Sequence, residues 1–124
     1  MSEIEKWGNI MGNILVIDDD LNIRTILSKF LVDYGHQVTE ATDGEIGIEI
    51  LEQNLNFKVV ITDIRMPNKS GNDVARHIKN NSDIDKTPVI GVTGFMEDVE
   101  KELFDFLLEK PFKIKKLMSI IDKL

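Results

Sequence analysis

The strongest constraint on this chain is an alternation of two patterns. Short unbroken apolar runs (Ile14-Leu15-Val16-Ile17, Val59-Val60-Ile61, Val89-Ile90-Gly91-Val92 and Phe106-Leu107-Leu108) are separated by stretches whose apolar residues recur at helical spacing. Runs this short and this β-branched suit strands buried on both faces, as in parallel sheets. Gln37-Val38-Thr39-Glu40-Ala41 alternates polar and apolar residues and reads as an edge strand. Ile23, Ile26, Leu27, Phe30 and Leu31 share one helix face, and Leu117, Ile120, Ile121 and Leu124 share another. Ile46, Ile50 and Leu51, then Val74, Ala75 and Ile78, make two shorter faces. Tyr34-Gly35 closes the first helix, since glycine accepts the left-handed conformation just past a helix end, and Asp43-Gly44 opens the second. The order is strand then helix, five times over. It predicts an α/β, doubly wound parallel sheet with helices on both faces.

With 124 residues the chain has the length of one domain, expected over residues 13–124. Residues 1–12 carry no pattern and are expected to form a flexible N-terminal extension. The 15 Lys and Arg against 22 Asp and Glu give a formal charge of −7. That balance disfavours direct nucleic-acid binding, which rests on cations neutralising phosphates. No apolar run approaches the roughly 20 residues that span a bilayer, so membrane insertion is not expected. Residues 1–7 lack the basic start and apolar middle of a signal peptide, so the expected location is the cytoplasm. With no cysteine there is no disulfide framework and no thiol chemistry.

The chemistry collects where strands end. The first run stops at Asp18-Asp19-Asp20, the third strand at Thr62-Asp63, the fourth at Thr93 and the fifth at Glu109-Lys110-Pro111. In a doubly wound sheet these ends share the edge where sites form. Carboxylates crowded together repel, and a hard divalent cation relieves them; few oxygen ligands suit Mg²⁺ (or Mn²⁺) better than caged Ca²⁺. Lys110 and the Thr93 hydroxyl would then serve a phosphoryl group, by charge and by hydrogen bond. Asp18 and Asp19 are paired for metal, whereas Asp63 stands alone and is the candidate nucleophile. Asp20 reads as a helix cap.

Four segments resemble one family. Ile14-Leu15-Val16-Ile17-Asp18-Asp19-Asp20, Asp63-Ile64-Arg65-Met66-Pro67-Asn68-Lys69-Ser70-Gly71, Val89-Ile90-Gly91-Val92-Thr93-Gly94 and Lys110-Pro111-Phe112 are similar, in order, to the signatures of response regulator receiver domains. The resemblance implies a flavodoxin-like sheet in order 2-1-3-4-5. It implies Asp63 as acceptor of a phosphoryl group from a histidine kinase or phosphotransfer protein. Asp19 and Asp63 would ligate Mg²⁺ with the backbone carbonyl of Arg65, and Asp18 would act largely through water. It also implies a cis Lys110-Pro111 bond. Arg65, Gly94 and Phe95 take positions that flank the phosphoryl site in receivers. The bulk of Arg65 and Phe95 would hinder the hydrolytic water, and the small Gly94 would leave the site open to a donor.

Two departures stand out. Receivers commonly carry a switch aromatic three residues before the lysine, but here that position is Leu107. Phe106, Leu107 and Pro111 thus become the switch region, with the nearest ring, Phe106, on the opposite strand face. The stretch from Thr93 to Lys110 is also about five residues short for the family, so a shortened fourth helix is expected over 97–104.

The leading reading is a stand-alone receiver that switches a partner-binding surface, its downstream target unidentified, as a monomer or a phosphorylation-dependent dimer. It is expected to be a signalling domain with its own phosphorylation and dephosphorylation chemistry rather than a metabolic enzyme. Leu21, Arg24 and Ser28 are candidate contacts for the phosphodonor protein. One alternative is a receiver-fold interaction module that is never phosphorylated. Another is a Mg²⁺-dependent phosphohydrolase using Asp18 of the Asp18-Asp19-Asp20 triplet. A flavodoxin-like cofactor binder is excluded, because three aspartates after the first strand repel a phosphate that arrives without metal. His36 and His77 are expected at the surface or core edge rather than as ligands, and Trp7 in the extension. Lys113, Lys115 and Lys116 read as solvated.

Overall fold

The computed structural model describes residues 12–124. The expected N-terminal extension and Trp7 lie outside the described residues, apart from Gly12. Five strands, β1 (Asn13–Ile17), β2 (Gln37–Ala41), β3 (Val59–Asp63), β4 (Val89–Thr93) and β5 (Phe106–Glu109), form one sheet in order 2-1-3-4-5. All four pairings are parallel, in the register Ile14 with Val38 and Val59, Val60 with Val89, and Ile90 with Phe106. Among the described residues four α-helices accompany them: α1 (Leu21–Asp33), α2 (Gly44–Gln53), α3 (Gly71–Lys79) and α4 (Ile114–Asp122).

Alternation along each strand divides the apolar residues between two faces. Ile14, Val16, Val59, Ile61, Ile90, Val92 and Leu108 pack under Leu27, Leu31, Leu117 and Ile121 of α1 and α4. Leu15, Ile17, Val60 and Val89 pack under Leu51, Val74 and Ile78 of α2 and α3. Each fully buried aliphatic side chain contributes about 1.5–3 kcal/mol.

Local chemistry sets the helix ends. The Asp20 carboxylate accepts from the Asn22 and Ile23 amides and caps α1. Past Tyr34, Gly35 takes φ 97°, a conformation that costs a side chain but not glycine. Asp43 caps α2 by accepting from Ile46 N at 3.0 Å. Ser70 and Asp73 cap α3 reciprocally.

The fourth strand-helix unit differs from expectation. Instead of a shortened α-helix over 97–104, two 3-10 turns, Met96–Asp98 and Lys101–Leu103, join β4 to β5. Val99 and Phe104 are extended, which interrupts any helix. Polar side chains of α3 bind this segment: Asn72 Nδ2 donates to the Asp98 carbonyl at 2.8 Å, Glu100 N donates to Asn72 Oδ1 at 3.0 Å, and Arg76 pairs with Glu100. Leu103 and Phe104 pack on the α2–α3 core. The ten residues 95–104 thus adopt a strap against α3. No helix among the described residues is long and apolar enough to cross a membrane.

Candidate functional site

The carboxyl ends of four strands deliver the site. Asp18 and Asp19 follow β1, Asp63 and Thr93 end β3 and β4, and Lys110 follows β5. Lys110 N donates to the Thr93 carbonyl at 2.8 Å, which fixes the lysine at the end of β4. The Lys110-Pro111 bond is cis, as expected.

Lys110 Nζ lies 3.2 Å from Asp63 Oδ2 and 3.4 Å from Asp18 Oδ2. The remaining oxygens are also engaged, since Asp63 Oδ1 accepts from Ile64 N at 2.7 Å and Asp18 Oδ1 from Asp20 N at 2.9 Å. Burial raises the Asp18 carboxyl above its ordinary pKa, and the Asp20 amide and the Lys110 ammonium only partly offset this. Burial alone would lower Lys110, but Asp18 and Asp63 outweigh it and hold the ammonium above its usual pKa. The lysine therefore keeps its charge at neutral pH.

Carboxylate oxygens of Asp18, Asp19 and Asp63 all lie within 4.8 Å of one another. Three carboxylates against one ammonium leave an uncompensated negative charge. An all-oxygen donor set suits a hard divalent cation such as Mg²⁺ or Mn²⁺, which would remove it. The site residues fit that group. The Arg65 carbonyl sits two residues past Asp63 in the loop entering α3.

Thr93 is fully buried, and its Oγ1 accepts from Phe95 N at 2.9 Å, leaving the hydroxyl proton to donate. The Arg65 guanidinium lies 3.5 Å from the centre of the Phe95 ring and also pairs with Asp98. A Cβ added at Gly94 would meet nothing within 4 Å, so this corner is open.

In the segment expected to act as the switch region, Leu107 and Phe104 cover Gly91 on the α2–α3 face of the sheet. Phe106, paired with Ile90, belongs to the opposite face and is partly exposed.

Of the three candidate partner contacts on α1, only Leu21 is exposed, at 63%. Arg24 is buried, with Nη1 donating to the Asp18 carbonyl at 2.8 Å and Nε to Glu40 at 3.0 Å. It holds the β1 end in place, and Ser28 is buried beneath it along the helix. Neither is open to a partner. His36 is also buried rather than peripheral, its Nδ1 accepting from Gly12 N at 3.2 Å. Desolvation lowers its pKa, which keeps it neutral.

Sequence reasoning missed the polar neighbours of the site. Asn68, at φ 67°, donates from Nδ2 to Asp43 Oδ2 at 2.8 Å and ties the β3–α3 loop to the start of α2. An Asn two residues before a Ser cap was the available signal. Asp98, Asn72, Arg76 and Glu100 looked like ordinary surface residues and offered none.

The response regulator receiver domain model matches residues 14–122. Response regulator RR06 of Streptococcus pneumoniae is 34% identical over 119 residues, which is 90% of this chain and 52% of that protein. The chain thus spans about half the length of this curated relative. Among solved structures, the response regulator TrrA of Thermotoga maritima in complex with Mg²⁺-BeF is 30% identical, with a TM-score of 0.82 over 91% of this chain and 98% of that one. The receiver domain of sensor histidine kinase PA1611 of Pseudomonas aeruginosa, with a magnesium ion in its active-site cleft, is 25% identical, with a TM-score of 0.83 over 90% and 95% of the two chains.

Proposed function

The chain belongs to the response regulator receiver domain family, and we propose that Asp63 is its phosphoacceptor, charged by a histidine kinase or histidine phosphotransfer protein. The observation that carries this reading is the position of Asp63. It ends β3 with one oxygen 3.2 Å from Lys110 Nζ, and its carboxylate lies beside those of Asp18 and Asp19.

The transfer is a displacement at phosphorus. The N–P bond of a phosphohistidine breaks, its electron pair stays on the histidine nitrogen, and a P–O bond forms to an Asp63 carboxylate oxygen. Asp18, Asp19 and Asp63, with the Arg65 carbonyl, would hold Mg²⁺ or Mn²⁺, which supplies charge neutralisation for the incoming phosphoryl oxygens. Lys110 adds a fixed positive charge, and the Thr93 hydroxyl donates to a phosphoryl oxygen. Arg65 and Phe95, stacked at the mouth, shield the acyl phosphate from water, while Gly94 leaves an approach for the donor.

Phosphorylation would bias the β4–β5 region towards a state that a downstream protein recognises, as a monomer or a phosphorylation-dependent dimer. The setting we propose is the cytoplasm, with protein partners and a signalling rather than metabolic role. The phosphohydrolase alternative would need Asp18 as nucleophile. Its side chain is only 3% exposed against 14% for Asp63, which favours Asp63 as the attacking group.

Incubation with a small phosphodonor, followed by intact mass, tests the reading. One phosphoryl group should be gained with Mg²⁺, and none without it or in Asp63→Asn. Absence of any gain while Mg²⁺ still binds would favour the interaction module that is never phosphorylated.

A further inference from the structure

The position that holds a switch aromatic in receivers is Leu107, whose side chain lies with Phe104 over Gly91. A different chain of contacts leads outward from the site. Phe95 N donates to Thr93 Oγ1 at 2.9 Å, the Phe95 ring lies under Arg65 at 3.5 Å, and Arg65 pairs with Asp98. Asp98 belongs to the 95–104 strap, which is otherwise held to α3 by Asn72 and Arg76. Phe95 and Arg65 are both well exposed, so neither is locked by packing.

From this geometry we infer that Phe95 and Arg65 read out the phosphorylation state of Asp63 and control the strap through Asp98. The inference rests on Asp63 being the phosphoacceptor. A phosphoryl group there carries close to two negative charges and three strong acceptor oxygens. It draws the Thr93 hydroxyl, and with it the Phe95 amide. It also competes for the Arg65 guanidinium, whose planar donors suit phosphate at least as well as a single carboxylate. The opposing contact is weak, because an exposed Arg–Asp pair is screened by solvent and pays entropy to hold two side chains in one geometry. Once Arg65 turns to the phosphoryl group, the Asp98 carboxylate loses its partner, and the strap keeps its α3 bonds and the packing of Leu103 and Phe104. The loosened strap and the adjoining Phe95 edge are then the surface that differs between the two states. Arg65 and Phe95 act here as positioning residues, transmitting the charge on Asp63 rather than transferring phosphorus.

The test uses the full chain with Mg²⁺ and beryllofluoride, a stable phosphoryl mimic whose seating is read by the signals of bound fluoride. Amide hydrogen exchange over 95–104 is the second readout. Seated beryllofluoride should speed exchange there about threefold, the scale of one exposed ion pair. Asp98→Asn should seat beryllofluoride equally well, exchange fast beforehand and gain little more. Phe95→Leu, which keeps the bulk without the ring face, should seat it and lose the response. Seated beryllofluoride with unchanged exchange, or a response in either variant equal to that of the unsubstituted chain, would overturn the inference alone. Failure of the unsubstituted chain to seat beryllofluoride would overturn the phosphoacceptor reading, and the inference with it.

Discussion

Lys110 Nζ stands 3.2 Å from Asp63 Oδ2, although 47 residues separate the two in the chain. The pairing exists because β3, β4 and β5 run parallel and in register, so their carboxyl ends meet at one edge. The same ammonium reaches Asp18 at 3.4 Å, so one cation restrains two mutually repelling carboxylates.

Lys110→Met should therefore leave Asp18 and Asp63 facing each other uncompensated. Removing one partner of a fully buried pair costs about 3–5 kcal/mol, and the partial exposure of Lys110 reduces this to about 1–2 kcal/mol. Urea unfolding should show that loss without Mg²⁺ and recover most of it at saturating Mg²⁺, because the metal relieves the same repulsion. Phosphoryl uptake should slow at least about tenfold, since a charge on the reacting group is lost.

Asp43 makes a pH prediction. The Ile46 amide, with help from Asn68, holds its carboxyl below the ordinary value of 3.8. A depressed carboxyl stabilises the fold above its unfolded pKa and loses that contribution as pH falls through the folded one. Asp43→Asn keeps a capping oxygen but does not titrate. Its stability should fall less steeply than that of the unsubstituted chain below pH 3.8, as read from the difference between the two acid denaturation curves.

Two glycines near the site should respond oppositely to alanine. At Gly71 an added Cβ would lie 2.1 Å from the Asp63 carbonyl oxygen, backbone that cannot move without shifting Asp63 itself. Gly71→Ala should cost about 3 kcal/mol or more and slow phosphoryl uptake. At Gly94 the space is open, so Gly94→Ala should stay within about 0.5 kcal/mol in chemical denaturation.

Arg65 and Phe95 should govern the lifetime of the acyl phosphate. Replacing them together by Arg65→Asn and Phe95→Ala strips the stacked pair from the mouth. Dephosphorylation followed by loss of mass should quicken about tenfold, a barrier change near 1.4 kcal/mol. An unchanged rate would remove the shielding role.

The sheet was legible from the sequence because each central strand is a run of residues buried on both faces, a pattern that admits few other structures. The candidate site residues were legible for a related reason: Asp18, Asp19, Asp63, Thr93 and Lys110 each lie within two residues of the end of an apolar run. The strap was not. Val99, Leu103 and Phe104 have spacing compatible with a short helix, and the choice of 3-10 turns depends on Asn72 and Arg76 reaching across from α3. Those bonds join residues 24–28 positions apart and leave no local trace. Arg24 misled for a similar reason. An arginine near the start of an amphipathic helix looks solvated, and only the fold shows that the Asp18 carbonyl and Glu40 are waiting for it.

The central claim is that phosphorus becomes attached to Asp63. Borohydride reduction of an acyl phosphate converts the modified aspartate to homoserine, which peptide mass mapping locates. After treatment with a small phosphodonor and Mg²⁺, homoserine should appear at position 63 and nowhere else. Homoserine at position 18, or none at any aspartate in a chain that had gained phosphoryl mass, would contradict the account.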